Sequence, residues 1–182
     1  MKNMNSDNLC NKILSNYDEI KTEILNYIKT DKLHRHPEKI VDDNKQLFEN
    51  GKWDGVPFSK MDPQYHPEEI INKYLFIVKE RCPITFSIFE KYKDILANAS
   101  LNILSPGIIV NPHTEASDKY MRFQIGISVD PNCFLEMNGR EYIWETNKFL
   151  SFRDTQLHSA KHEGTRDLVM LSFDVDLTFV NN

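Results

Sequence analysis

Tyr120-Met121-Arg122-Phe123-Gln124-Ile125-Gly126-Ile127-Ser128-Val129 decides the fold class. Met121, Phe123, Ile125, Ile127 and Val129 alternate with Tyr120, Arg122, Gln124, Gly126 and Ser128. Successive side chains of an extended chain point to opposite faces, so this stretch predicts a strand with one apolar and one polar face. Further short strands fit 101–105, 133–138, 141–145, 148–152 and 166–179. Turn signals separate them at Pro106-Gly107, Asp130-Pro131-Asn132, Asn138-Gly139 and Glu163-Gly164. Asn138-Gly139 marks the clearest hairpin. Many short strands at this spacing predict a sandwich or barrel.

Upstream the period changes from 2 to 3.6. Leu9, Ile13, Tyr17, Ile20, Ile24 and Ile28 recur three and four apart and form one helical face. A second helix is expected from His66-Pro67-Glu68-Glu69, with proline and acids in its first turn, and a third after Pro83. Their stripes read as packing faces that cover one sheet. Residues 31–66 lack periodicity and carry Gly51, Gly55, Pro57 and Pro63. They are expected to form a long loop with one short strand at most, the length and composition of a functional lid. The expected organisation is a single domain over 1–182, mostly helical over 1–98, with a β core over 99–180.

Composition narrows the function classes. The 182 residues hold 22 basic and 27 acidic side chains, a net charge of −5 without a basic stripe, so nucleic acid is not an expected partner. No run approaches the roughly 18 apolar residues of a membrane span, and the polar start lacks the apolar core of a signal peptide. Cys10, Cys82 and Cys133 are distant and odd in number, without zinc or disulfide spacing. Together these predict a reduced, cytoplasmic protein.

The chemistry is expected on the strands. His113-Thr114-Glu115 is an H-x-E pair, and in extended chain both side chains reach one point. His158 follows 45 residues later at the end of the 148–152 region. Two histidines and one carboxylate make the facial triad of a non-haem Fe(II) site, which leaves metal positions open for substrates. Arg166, near the start of the last strand, suits a cosubstrate that ends in a carboxylate, because arginine binds carboxylate bidentately. Arg122 and Gln124 share the polar face of their strand. Such a lining is costly unless a ligand satisfies it, although one face of an antiparallel sheet is often simply wet.

Several ordered segments resemble the aspartyl/asparaginyl β-hydroxylase family. They are Ser105-Pro106-Gly107, Asn111-Pro112-His113-Thr114-Glu115, Arg122-Phe123-Gln124-Ile125-Gly126, Trp144-Glu145, Phe152-Arg153-Asp154-Thr155-Gln156-Leu157-His158 and Ser172-Phe173-Asp174-Val175. The resemblance implies a mainly β fold, a double-stranded β-helix (a cupin-like jelly roll) with N-terminal α-helices packed on one sheet. It implies a dioxygenase that uses Fe(II), 2-oxoglutarate and O2 to hydroxylate an amino acid, free or within a small peptide. His113 and His158 match the family's iron-binding histidines, and Glu115 stands where members differ, some binding iron with two histidines alone. Arg122 matches an arginine near the metal-side carboxylate of 2-oxoglutarate, and Gln124 stands in place of a histidine. Asn102 stands where a small polar residue helps hold the far carboxylate. Counted back from Phe173-Asp174-Val175, the family's cosubstrate arginine falls on Leu168. Arg166 shares that facing on a regular strand and is expected to enter the barrel, with Arg122 as the alternative clamp. Trp53 reads equally as a lid aromatic over substrate and as a core anchor. His34, His36 and His162 read as surface histidines, His162 close to the mouth. The competing class is a cupin-like small-molecule-binding barrel with other chemistry or none.

Overall fold

The computed structural model describes residues 4–35, 40–41, 45–60, 67–115 and 117–180. Its helices are α1 (Ser6–Leu14), α2 (Tyr17–Thr30), α3 (Glu68–Arg81) and α4 (Pro83–Lys91). The early strands are β1 (His34–Arg35), β2 (Ile40–Val41), β3 (Lys45–Gln46), β4 (Phe48–Glu49) and β5 (Trp53–Pro57). The later ones are β6 (Leu96–Leu104), β7 (Ile109–His113), β8 (Tyr120–Ser128), β9 (Cys133–Met137), β10 (Arg140–Ile143), β11 (Phe149–Phe152), β12 (His158–His162) and β13 (Leu168–Asp176). Six strands pair in the order β1-β5-β6-β13-β8-β11 and five in the order β10-β9-β12-β7-β4, while β2 and β3 form a separate ribbon. Every pairing between these strands is antiparallel. Two such sheets face to face make the expected jelly roll, mainly β, with the helices packed on the six-stranded sheet.

The alternation along β8 and β13 sorts residues onto two sides of that sheet. Ile125, Ile127, Val169, Leu171, Phe173 and Val175 pack outward against Leu9, Ile13, Ile20, Ile24, Val78 and Phe89 of the helices. Phe173 is fully buried, stacked on Phe123 with centroids 5.4 Å apart and tilted against Phe89 at 5.6 Å. Leu104, Leu168, Met170 and Phe152 face the other way and meet Val110, Leu135 and Met137 of the five-stranded sheet.

The predicted first helix is two helices. Asn16 donates its side-chain amide to the Lys12 carbonyl at 2.7 Å, competing with the helical ladder, and α2 restarts at Tyr17. The break turns the Tyr17 hydroxyl onto the Gly126 carbonyl at 2.5 Å, tying the helical layer to β8. A Cβ at Gly126 would come within 2.3 Å of Val129 Cγ1. The Asn138-Gly139 hairpin pairs Arg140 with Met137 and holds φ at 49° and 75°, the left-handed turn that suits this dipeptide.

The stretch expected as a lid is partly sheet. The short strand allowed for there is β5, paired with β6 from Trp53–Leu104 to Pro57–Ser100, and β4 pairs with β7. Residues 36–39, 42–44 and 61–66, and with them His36, lie outside the described residues. Among the described residues no helix is long and apolar enough to cross a membrane.

Candidate functional site

Two strands of the five-stranded sheet bring the site histidines together. His113 is the last residue of β7, His158 the first of β12, and the two are register partners. Their ring centroids lie 4.2 Å apart, and both side chains are buried. Each ring is held by the same local device. His113 Nδ1 meets the Asn111 carbonyl at 2.8 Å, and His158 Nδ1 meets the Gln156 carbonyl at 2.8 Å. A carbonyl can only accept, so Nδ1 carries the proton and Nε2 the lone pair. Burial, helped by His113 and Arg122 and opposed by the Gln156 carbonyl and Glu115, pushes the His158 pKa down to about 4. His158 is therefore a neutral imidazole at neutral pH. The Phe152 ring packs against it at 5.3 Å. Lone-pair nitrogens oriented by backbone carbonyls are how proteins prepare histidine for a metal.

Glu115 does not complete this pair. β7 ends at His113, so the period-two facing that would carry position 115 to the same point stops there. The Glu115 backbone N–H instead donates to the Asp154 carbonyl at 2.8 Å. Among the described residues no three His, Cys, Asp or Glu side chains gather around one point. The three-ligand expectation reduces here to two histidines, with Glu115 close enough to act on the charges of His158 and Arg122.

The inner face of the six-stranded sheet forms a graded wall. Register places Asn98, Asp174 and Arg122 in one row and Ser100, Ser172 and Gln124 in the next. Asn102 pairs with Met170 beyond them, and Leu104 with Leu168 at the far end. Arg122 donates through Nε and Nη2 to the two Asp174 oxygens, each at 2.9 Å, and Nη2 also meets Asp154 at 2.7 Å. Asn98 donates to Asp174 at 2.6 Å. Burial works against the arginine's charge, but Asp174, Asp154 and Glu115 outweigh it and raise its pKa. Gln124 accepts from Trp144 Nε1 at 2.9 Å. Asn102 accepts from Trp53 Nε1 and donates to Ser100 Oγ, both at 3.0 Å. Trp53 ties β5 to the wall, its ring 5.9 Å from Phe48.

Arg166 does not enter the barrel. It is exposed, two residues ahead of β13, and its Nη2 reaches the Val129 carbonyl at 3.4 Å. The strand starts at Leu168, so the facing that Arg166 was expected to share is never imposed on it. His162, expected at the surface, is 1% exposed. Its Nε2 meets the Arg166 carbonyl at 2.7 Å and its Nδ1 accepts from the Gly164 N–H at 3.1 Å, which closes the turn. His34 opens β1. Asp154 and Asp174 are the site residues that sequence reasoning passed over. Asp154 stands four before His158, but the facing of Asp174 toward Arg122 is visible only once β8 and β13 are in register.

The family model described as Aspartyl/Asparaginyl beta-hydroxylase matches residues 14–177. Mouse aspartate beta-hydroxylase domain-containing protein 2 is 29% identical over 107 residues, 56% of this chain and 31% of the relative. Mouse aspartate beta-hydroxylase domain-containing protein 1 is 25% identical over 107 residues, 56% of this chain and 30% of the relative. These matches thus span less than a third of the relatives' length. Among solved structures, a cupin-like protein from Thermotoga maritima aligns over 82% of this chain and 84% of its own, at TM-score 0.46 and 10% identity. A Cupin 2 conserved barrel domain protein from Salinispora arenicola aligns over 45% of this chain and 65% of its own, at TM-score 0.36 and 12% identity.

Proposed function

Because the chain belongs to the aspartyl/asparaginyl β-hydroxylase family, we propose that it is an Fe(II)-dependent hydroxylase of an amino acid, free or within a small peptide, with a 2-oxo acid as cosubstrate. The observation that carries this reading is the pair of buried histidines, 4.2 Å apart, whose Nδ1 atoms are both committed to backbone carbonyls. Both Nε2 lone pairs are thereby prepared for one cation, and such a donor set suits iron. The metal fits the residues present. 2-Oxoglutarate is the cosubstrate that the family resemblance implies. Arg122 stands close enough to act on His158 and suits one acid group of this cosubstrate.

Iron bound there supplies the redox chemistry by which O2 oxidises a substrate C–H to C–OH while the 2-oxo acid loses CO2, one oxygen atom going to each organic product. The chain's own part is positioning. Asp174 and Asp154 fix the Arg122 fork through Nε and Nη2 and leave the two Nη1 hydrogens for a ligand. Trp144 fixes Gln124, and Phe152 covers the His158 ring and limits water there. Cys10, Cys82 and Cys133 are unpaired thiols, which suits a reducing compartment such as the cytoplasm.

Equilibrium dialysis with Mn(II) or Fe(II) without oxygen tests the metal half. One ion per chain is expected, and His113→Ala and His158→Ala should each lower affinity by more than the roughly 10–100-fold of an outer-shell change. An unchanged affinity in both variants would remove the histidines from the metal. A second reading, a metal-binding barrel without hydroxylation, is favoured by the absence of a third ligand among the described residues and by the two aspartates already on Arg122. Metal binding with no CO2 release from any 2-oxo acid, across a panel of amino acids and short peptides, would select it.

A further inference from the structure

A ligand beside the histidines meets the inner face of β8, and the orientation of one amide decides what that face offers. Gln124 lies two residues, about 6.6 Å, along the strand from Arg122 and on the same face. Its sequence neighbours Phe123 and Ile125 face the helices instead. A glutamine amide is ambiguous by itself, since it donates when turned one way and accepts when turned the other. Trp144 removes the ambiguity. An indole N–H can only donate, so its 2.9 Å contact holds the Gln124 oxygen against the tryptophan and turns the amide nitrogen away. The register partners of Gln124 are Ser172 and Leu150, and neither takes that nitrogen. Among the described residues the Gln124 side chain has no other hydrogen bond, and its nitrogen is not sealed in the packing.

The indole is itself held in place. Trp144 is 2% exposed and packs in one cluster with Leu168 and Met170. The Gly126 N–H donates to the Glu145 carbonyl at 3.3 Å, and Gly126 forms a bridge with Thr146. A Cβ at Gly126 would stand 3.0 Å from that carbonyl oxygen, so the glycine lets the 144–146 segment come up against β8.

Building on the reading of His113 and His158 as metal ligands beside a 2-oxo acid, we propose that Trp144 is a positioning residue that holds Gln124 as a fixed hydrogen-bond donor, and that an oxygen of the bound acid accepts from Gln124 Nε2. Position 124 then needs an acceptor behind, for the indole, and a donor in front, for the ligand. A neutral histidine has both, whereas methionine, of similar length, has no donor.

The test is calorimetry of 2-oxoglutarate binding to the Mn(II)-loaded full chain without oxygen. Gln124→Met should weaken the acid by about tenfold or more, the worth of a hydrogen bond to a charged group. Gln124→His should keep most of the affinity. Trp144→Phe retains a ring without the N–H and should weaken the acid roughly two- to tenfold, the cost of ordering one freed side chain. That loss should vanish in the Gln124→Met background, because Trp144 acts through Gln124. Mn(II) affinity should not change in any of these variants, and a fall in Trp144→Phe would make the residue a support of the metal site and overturn the inference. No loss of acid binding in Trp144→Phe overturns it too, and that comparison stands even where the double variant does not fold. So does an equal loss with and without Gln124→Met, or a loss in Gln124→His as large as in Gln124→Met. All of these leave the proposed function intact. A wild-type chain that holds Mn(II) but binds no 2-oxoglutarate overturns the inference and the hydroxylase reading together. Failure to hold Mn(II) at all removes the metal site on which both rest.

Discussion

Glu115 and His113 are two residues apart, yet only the histidine belongs to a strand, and a metal ligand is worth what its backbone can hold in place. The two-ligand geometry carries a direct expectation. Glu115→Gln should lower Mn(II) affinity by less than about tenfold, an outer-shell effect, whereas either histidine replacement costs more. Dialysis of the three variants side by side measures this, and a loss for Glu115→Gln as large as for His113→Ala would place the carboxylate on the metal. The H-x-E spacing and the distant His158 were legible in the sequence. The end of β7 at His113 was not, because it is set by pairing with β12 and by the Asp154 carbonyl that takes the Glu115 N–H. Trp53, which reads equally as cover or anchor in sequence, finds its hydrogen-bond partner in Asn102, 49 positions away.

The turn between β12 and β13 shows how an element depends on one side chain from elsewhere. Asp130 accepts the backbone N–H groups of Asn132 and Thr165 at 3.0 Å each and of Arg166 at 3.3 Å. A Cβ at Gly164 would lie 2.2 Å from that carboxyl, so the approach needs glycine. The N–H groups, Asn132 and Thr165 first, hold the Asp130 pKa below its ordinary value. A carboxylate with a depressed folded pKa stabilises the fold above its unfolded pKa, about 3.9, and loses that contribution as pH falls through the folded one. Asp130→Asn should therefore lower the melting temperature at pH 7. The gap to wild type should narrow as pH falls below about 4, read by circular dichroism melts. A gap constant from pH 7 to pH 3 would mean that the charge contributes nothing. The same turn explains the misplacement of Arg166. Glu163-Gly164 signalled a turn in the sequence, but its extent to Asp167 follows from Asp130 and His162, which no local pattern announces.

Across the whole molecule, the six-stranded sheet is buried on both faces, by helices on one side and by the second sheet on the other. Helical stripes and strand alternation made this layering legible, since each face needs a partner of matching period. The pairing order was not legible, because it joins strands such as β6 and β13 across more than sixty residues of chain. Deleting residues 1–30 would take Leu9, Ile13, Ile20 and Ile24 off the apolar face of the six-stranded sheet and leave it only partly covered by α3 and α4. The truncated chain is expected to aggregate, seen as loss of the monomer-sized peak in size-exclusion chromatography. A stable, dispersed product would show that the barrel stands without α1 and α2. The passage from β4 to β5 has another consequence. Three residues, 50–52, carry the chain from an edge of the five-stranded sheet into the six-stranded one. Tension on the chain in this region acts on two hydrogen-bonded seams through a single short link, so under load the two halves are expected to give way in one event, not in succession.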